Sequence, residues 1–195
     1  MTLRTPISGL LAIALACAGL LAPHAAAARI RYVTDADAPR SLPEQGPVSV
    51  SWDDPAGFTE IRYSHNRVES RRGDWVAQLA RHLRDYAAPR LRAGERLQIR
   101  ITDIDRAGDF EPWRGPDFYD TRFVRDIYPP RITLAFTHTD ANGAVIDQGE
   151  RKLMDAGFLM DSTVGRGYDP LRFEKRLLER WIASELPADR RSAAR

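Results

Sequence analysis

Cysteine is almost absent from this chain of 195 residues, and Cys17 is the only one. Because Cys17 lies in a segment that we expect to be removed, the mature protein has no cysteine. It therefore has no disulfide bond and no thiol nucleophile, and its stability has to come from packing.

Long hydrophobic runs are also absent, with one exception at the start of the chain. Arg4 precedes an apolar run over residues 7–21, and the small residues 25–28 follow it. This order is typical of a secretory signal peptide over residues 1–28, with cleavage near Ala28. The run is too short for a membrane span. We therefore predict a periplasmic or secreted protein with no membrane span.

A lipid anchor at Cys17 is the alternative interpretation of the same segment. The peptidase of that pathway requires leucine or a similar residue three positions before the cysteine, and Ala14 stands there. Apolar residues also continue after Cys17 as far as Leu21. Both observations favour ordinary cleavage over a lipid anchor.

Residue patterns of the common catalytic and nucleotide-binding sites are missing as well. The chain has 29 basic and 27 acidic residues, a net charge of +2, and no block of one sign. This balance argues against nucleic acid as a partner. No glycine-rich phosphate loop and no common serine-hydrolase motif is present. His65, His82 and His138 lack the spacing of a zinc site.

Hydrophobic spacing predicts the fold class. Apolar residues alternate in four segments, which predicts strands at 48–52, 97–101, 131–139 and 144–153. Helical spacing predicts two amphipathic helices, over 73–87 and from Asp169 to Pro187. The predicted class is α+β, with a mainly antiparallel sheet of about four strands and two amphipathic helices packed on one face.

The same spacing predicts the domain limits. Residues 29–47 are polar and interrupted by prolines, so we interpret them as an extended leader. A single α+β domain follows over residues 48–186. The arginine-rich residues 187–195 are expected to form a frayed C-terminal tail.

Several ordered blocks of this domain resemble domain-of-unknown-function family 3016. They are VSVSWDDP (48–55), ITDIDRAG (101–108), RDIYPPRI (125–132) and EKRLLERW (174–181). The resemblance covers roughly residues 48–186. It implies an exported protein with one small domain, and it implies no particular activity or catalytic residue.

A cluster of carboxylates follows the second predicted strand, at Asp103, Asp105, Asp109 and Glu111. Oxygen ligands of this kind suit Ca²⁺ or another divalent cation, which gives one hypothesis: a metal site that supports hydrolysis. The spacing is not that of an EF-hand. The other hypothesis, which we favour, is that these residues cap the loop and pair with Arg125 or Arg131.

The alternation of the second strand breaks beside this cluster. Strand parity places Asp103 on the same face as Ile99 and Ile101, whereas the next apolar residue is Ile104. We therefore expect a break or a bulge in the strand at this point. A carboxylate left on the inner face would need a partner, because unpaired burial is costly.

The predicted loop over residues 106–122 is long and contains Phe110, Trp113, Phe118 and Tyr119. Loops of this length in compact domains are usually functional or disordered, and the aromatic residues argue against disorder. Two alternatives remain for these rings. They fold back to cover a sheet edge, or they present a contact surface for a protein or a glycan.

Two alternatives remain for the residues after this loop: Tyr128 and Arg131, held rigidly, suit recognition, whereas Arg131 bound to Asp103 or Asp126 would serve structure equally well. Two prolines, Pro129 and Pro130, stiffen the chain between Tyr128 and Arg131. We therefore expect an exported, non-catalytic accessory module without a cofactor, whose partner is an envelope protein or a glycan. Its expected binding residues are Trp113, Phe118, Tyr119, Tyr128 and Arg131. The alternative is a divalent-cation-binding protein that uses the carboxylate cluster.

Overall fold

The computed structural model describes residues 30–160 and 168–186. The predicted signal peptide over residues 1–28 and the predicted tail over residues 187–195 lie outside the described residues. None of the helices in the two described ranges is long and apolar enough to cross a membrane.

A four-stranded mixed sheet with helices forms the body of the fold. In chain order the helices and strands are β1 (Val48–Trp52), α1 (Thr59–Tyr63), α2 (Arg67–Arg71), α3 (Trp75–Ala87), β2 (Arg96–Asp105), β3 (Asp109–Phe110), β4 (Arg122–Phe123), β5 (Arg131–Thr139), β6 (Val145–Met154) and α4 (Arg172–Glu185). The sheet order is β1-β2-β5-β6, where β1 pairs parallel with β2 and the other pairs are antiparallel. The predicted α+β class with a mainly antiparallel sheet is confirmed.

One face of this sheet carries the hydrophobic core. Val50, Ile99 and Phe136 lie side by side on adjacent strands, and all three are buried. The buried residues of α3 and α4 belong to the same core cluster. Trp181 of α4 meets the ring of Phe136 edge-on, with the ring centroids 5.7 Å apart. Alternate residues of the strands are buried because the side-chain period of a strand is two.

The last helix begins later than the sequence predicts. It starts at Arg172, and Asp169 belongs to a turn in front of it. Asp169 Oδ1 accepts the N–H of Leu171 at 2.9 Å, and the Asp169 carbonyl accepts the N–H of Arg172 at 3.3 Å. Asp169 therefore caps this turn rather than the helix itself.

β2 bulges where the alternation of the sequence breaks. Ile101 pairs with Leu134, but Asp103 pairs with Thr133, so the register shifts between the two. After the shift, Ile104 is fully buried in the core. The predicted bulge is confirmed, and it turns Asp103 away from the core face.

A second, smaller layer lies beside the end of β2. It consists of α1, α2, and a two-stranded antiparallel sheet of β3 and β4. The predicted loop over residues 106–122 is thus structured, with 3₁₀ turns at Pro112–Arg114 and Pro116–Phe118. These elements are too short to show a hydrophobic period, and the sequence did not predict them.

Candidate binding surface

Glu60 of α1 is a carboxylate buried at the centre of the small layer, with 3% of its surface exposed. Arg106 donates to it twice, from Nη2 to Oε1 at 2.8 Å and from its backbone N–H to Oε2 at 3.0 Å. Arg122 of β4 donates to Oε1 from the other side. Burial raises the pKa of Glu60, but the charges and hydrogen bonds of the arginines outweigh burial, so its pKa lies below the ordinary value. The ionised carboxylate thereby ties α1 to the segments that follow β2 and precede β5.

Arg122 also joins the two ends of the predicted loop over residues 106–122. Its Nη1 donates to the Gly108 carbonyl at 2.6 Å, and the Gly108 N–H donates to the Tyr128 carbonyl at 3.0 Å. Gly108 has φ +79°, and a Cβ there would lie 2.7 Å from the Phe123 carbonyl oxygen. Only glycine fits this close approach of β3 to β4 without strain.

Glu111 is a second buried carboxylate in the loop. Arg114 pairs with it one turn further on, and Arg125 Nη2 lies 3.1 Å from its Oε2. The Tyr128 hydroxyl donates to Oε1 at 3.3 Å. Partial burial, together with the negative charge of Glu111, raises the pKa of the Tyr128 hydroxyl. The loop residues around Glu111 are therefore held by charged hydrogen bonds.

Three aromatic rings of this anchored loop lie at the surface. Trp113 is 62% exposed, Phe118 45% and Tyr119 52%, and we call these three side chains the aromatic surface. Neighbouring residues contact two of the three. The Trp113 ring lies edge-on to His65 with centroids 5.1 Å apart, and Asn66 Nδ2 donates to the Tyr119 carbonyl at 3.0 Å. Phe110, in contrast, is buried. One of the four predicted loop aromatics therefore lies inside the protein, and the other three lie at its surface.

A cleft of about 150 Å³ is connected to the aromatic surface through His65, which binds Asp109 in the cleft lining and contacts the Trp113 ring. We call it the Tyr128 cleft. Its lining includes Tyr63, Asp105, Asp109, Ile127, Tyr128 and Arg131. Tyr63 and Ile127 are largely exposed at its mouth. The predicted binding residues thus occupy two places, with Trp113, Phe118 and Tyr119 on the aromatic surface and Tyr128 and Arg131 in the cleft.

The predicted carboxylate cluster does not form one set of ligands. Asp103 accepts from the N–H and the Oγ1 of Thr59 at 2.6 and 2.7 Å, and Asp105 accepts from Arg131 at 3.0 Å. Asp109 Oδ2 lies 2.6 Å from His65 Nδ1, and Glu111 has the partners described above. In the two described ranges, no three His, Cys, Asp or Glu side chains are grouped so that they could hold a metal ion. Of the predicted pairings, Arg131 with Asp105 is present, whereas Arg125 pairs with Glu111.

Glu174 of α4 is a buried carboxylate that sequence reasoning missed. Its Oε1 accepts the backbone N–H of Ala107 at 2.6 Å, and its Oε2 has no hydrogen-bond partner among the described residues. Burial raises the pKa of Glu174 above its ordinary value, and the hydrogen bond from Ala107 offsets only part of this effect. Glu174 therefore joins the long helix to the base of the loop and keeps its proton to a higher pH than an exposed glutamate.

A cleft larger than the Tyr128 cleft, of about 450 Å³, lies elsewhere, between residues 31–39 and α3. Polar groups along it pair with one another. Arg81 donates to Asp74 at 2.9 Å, and the Tyr32 N–H donates to Asp35 at 3.1 Å. The aromatic surface, in contrast, leaves three rings uncovered.

A comparison with protein-family models finds a match over residues 46–184, to the family described as Protein of unknown function (DUF3016). The chain belongs to this family. The match runs from just before β1 almost to the end of α4, so the aromatic surface and the Tyr128 cleft lie within the DUF3016 region. A search of curated proteins and a search of solved structures each found no match. The DUF3016 description assigns no activity.

Proposed function

We propose that this protein is an exported, non-catalytic accessory module that binds a partner protein through the aromatic surface and the adjoining Tyr128 cleft. The observation that carries the proposal is the exposure of Trp113, Phe118 and Tyr119 on a loop that is anchored from beneath. The loop is tied down at the buried carboxylates of Glu60 and Glu111.

Anchored aromatic rings suit protein recognition for an energetic reason. Binding orders side chains and loops, and the cost falls when the free protein already holds them in place. Tryptophan, tyrosine and arginine contribute most to the binding energy of many interfaces. Here the guanidinium group of Arg114 lies 4.6 Å from the centroid of the Phe123 ring. The Phe118 ring contacts the same Phe123 ring, with the centroids 5.9 Å apart. Arginine and aromatic groups are thus presented together.

The surrounding carboxylates support binding rather than catalysis. Asp103, Asp105, Asp109 and Glu111 each accept hydrogen bonds from a hydroxyl, a histidine or an arginine of the same layer. Such pairing holds each side chain in place. It supports a structural role for these residues as the base of the surface.

Photo-crosslinking in cells tests the binding site. A photoreactive amino acid is placed at Trp113 or at Tyr119 in the full chain, and the control position is Asn142 in the exposed turn at the far end of β5. We expect protein adducts from the first two positions and none from Asn142. Equal adducts from all three positions, or no adduct at all, would overturn the site. Adducts that contain glycan instead of protein would overturn the choice of partner.

Mass spectrometry of the exported protein tests the compartment. Ordinary signal-peptide cleavage predicts a mature chain in the periplasm or medium that begins near Arg29. A mature chain that begins at a lipid-modified Cys17 would show instead that the protein is a lipoprotein. An uncleaved chain in the cytoplasm would contradict export altogether.

A further inference from the structure

The four-stranded sheet has two edges, and the described residues cover only one of them. At the β1 edge, the Leu42 N–H donates to the Val50 carbonyl at 2.9 Å, and the Trp52 N–H donates to the Arg40 carbonyl at 2.9 Å. Within residues 30–160 and 168–186, no strand or isolated bridge pairs with the outer side of β6. An exposed strand of ten residues therefore presents free backbone groups at this edge.

The hydrogen-bond pattern shows which backbone groups of β6 point outward. Asp155 donates its N–H to the Pro130 carbonyl at 3.3 Å, one step beyond the Arg131–Met154 pair. Because hydrogen-bonded pairs recur at every second residue of an antiparallel ladder, the odd-numbered residues of 147–153 face β5. Gln148, Glu150 and Lys152 thus direct their N–H and C=O groups outward. Consistent with this, the Gln148 N–H donates to the Asp147 side chain at 2.8 Å instead of to β5.

We propose that two copies of this chain pair through β6 in antiparallel orientation, around a two-fold axis at Gly149, to form one eight-stranded sheet. In this arrangement, Gln148 of each copy exchanges backbone hydrogen bonds with Glu150 of the other. The Gln148 N–H then leaves Asp147 and donates to a carbonyl of the second copy. This surface is separate from the aromatic surface, and the inference does not depend on the proposed function.

Charge selects this register. In a two-fold pairing, the helices of both copies lie on one side of the joined sheet. Residues that lie opposite each other across the two β6 strands then belong to the same face of the sheet. Within one chain, Asp147 Oδ2 lies 3.5 Å from Arg151 Nη2, and Arg151 Nε lies 2.6 Å from Glu185 Oε1. Centred on Gly149, the pairing also puts Asp147 of each copy opposite Arg151 of the other, so that four side chains of alternating charge surround the axis. An axis at Asp147, Glu150, Arg151 or Lys152 would place two like charges opposite each other. An axis at Gln148 would avoid that repulsion but form no pair of opposite charge. An axis at Leu153 would put Arg151 opposite Asp155, but Asp155 is already bound to Arg180 and donates its N–H to Pro130 of the same chain.

Apolar side chains near the strand ends fit the same arrangement. Ile146 is half exposed and lines a cavity of about 250 Å³ together with Trp181 and Leu186. Leu153 faces the same side of the sheet, because it pairs with the buried Ile132. The register of β6 against β5 shifts at Ile146, between the pairs His138–Asp147 and Thr139–Val145. Pairing around Gly149 places Ile146 opposite Lys152 of the second copy and one residue away from its Leu153, so the two apolar side chains lie diagonally across the new interface.

Sedimentation equilibrium of the mature chain tests the dimer, at concentrations from about 1 to about 200 µM, which bracket the dissociation constants of weak dimers. The variants Gln148→Glu and Gln148→Lys bring a negative or a positive charge opposite Glu150 of the second copy. We expect the dissociation constant to rise about fivefold in the first and to fall about fivefold in the second, because each dimer contains the new pair twice. Gln98→Glu, on the same open face but on β2, is the matched control and should leave the constant unchanged.

Amide hydrogen exchange of the same samples identifies the surface. The N–H groups of Gln148 and Glu150 should become protected as the protein concentration rises. A monomer at every concentration would overturn the proposal, and so would equal effects of the two Gln148 variants. Protection of these amides at all concentrations would also overturn it, because the occupant of the edge would then be a segment of the same chain.

Discussion

Arg122 reaches from β4 to the buried carboxylate of Glu60, a residue 62 positions earlier in the chain, and with the same guanidinium group binds the carbonyl of Gly108. One side chain thus joins α1, β3 and β4. These contacts hold the loop over residues 106–122 against α1, and the aromatic surface lies on this loop.

Glu60→Gln should destabilise the protein by about 3–5 kcal/mol, because it leaves the charges of Arg106 and Arg122 without a counter-ion in a buried place. Urea unfolding at pH 7 measures the change. Asp85→Asn is the control, since Asp85 is mostly exposed and pairs with Arg84 at the surface, and its effect should stay below about 1 kcal/mol. Similar effects of both substitutions would contradict the role of Glu60.

The pH dependence of stability should differ between Glu60 and Glu174, because their pKa values shift in opposite directions. The lowered pKa of Glu60 contributes stability that is present above its ordinary value of 4.5 and is lost as the pH falls below it. Because the pKa of Glu174 is raised, the folded state loses stability as the pH rises above the ordinary value of 4.5, and the loss is complete once the pH exceeds the raised pKa. Glu174→Gln should therefore stabilise the protein more at pH 8 than at pH 5, relative to the wild type. Denaturant titrations at the two pH values measure this, and a gain at pH 5 that disappears at pH 8 would refute it.

Gly108→Ala should cost more stability than Gly143→Ala. Both glycines have positive φ, at +79° and +85°, so both substitutions carry the strain of the left-handed region, about 1–2 kcal/mol. Only at Gly108 would the new Cβ meet another atom, the Phe123 carbonyl oxygen at 2.7 Å, whereas nothing lies within 4 Å at Gly143. Thermal unfolding of the two variants gives the comparison, and equal midpoints would show that the approach of β3 to β4 is not tight.

Divalent cations should leave the thermal midpoint of the chelator-treated protein unchanged. The carboxylates of Asp103, Asp105 and Asp109 are each bonded to a different partner, and a ligand set would require these bonds to break. A bound ion at 100 times its dissociation constant would add about 2.7 kcal/mol of stability. Titration with Ca²⁺, Mg²⁺, Mn²⁺ and Zn²⁺ measures the midpoint. A rise that Asp103→Asn abolishes would establish the metal-binding alternative.

The sequence predicts those parts of the fold in which many residues repeat one pattern. Four strands and the two long helices follow from hydrophobic spacing, and the bulge at Asp103 follows from a break in that spacing. The parallel pairing of β1 with β2 leaves no comparable trace, because alternation is the same in both orientations.

The base of the candidate site could not be predicted for a different reason. Glu60 and Arg106 are 46 positions apart, and neither stands in a recognisable motif. Their pairing depends on the packing of α1, a helix of five residues, which is too short to show a period. The exposed rings were predicted as candidates because a loop of this length is usually functional or disordered, and its four aromatic residues argue against disorder.

The most direct test of the proposed function combines binding and stability in one variant. A photoreactive amino acid at Ile127, in the exposed mouth of the Tyr128 cleft, reports the partner, and the variant carries Trp113→Ala together with Tyr119→Ala. We predict that the crosslink forms in the wild type and is lost in the double variant, while the thermal midpoints agree, because both side chains are more than half exposed. A crosslink that persists in the double variant would contradict binding by the aromatic surface. A midpoint that falls steeply would show instead that the rings cover the core.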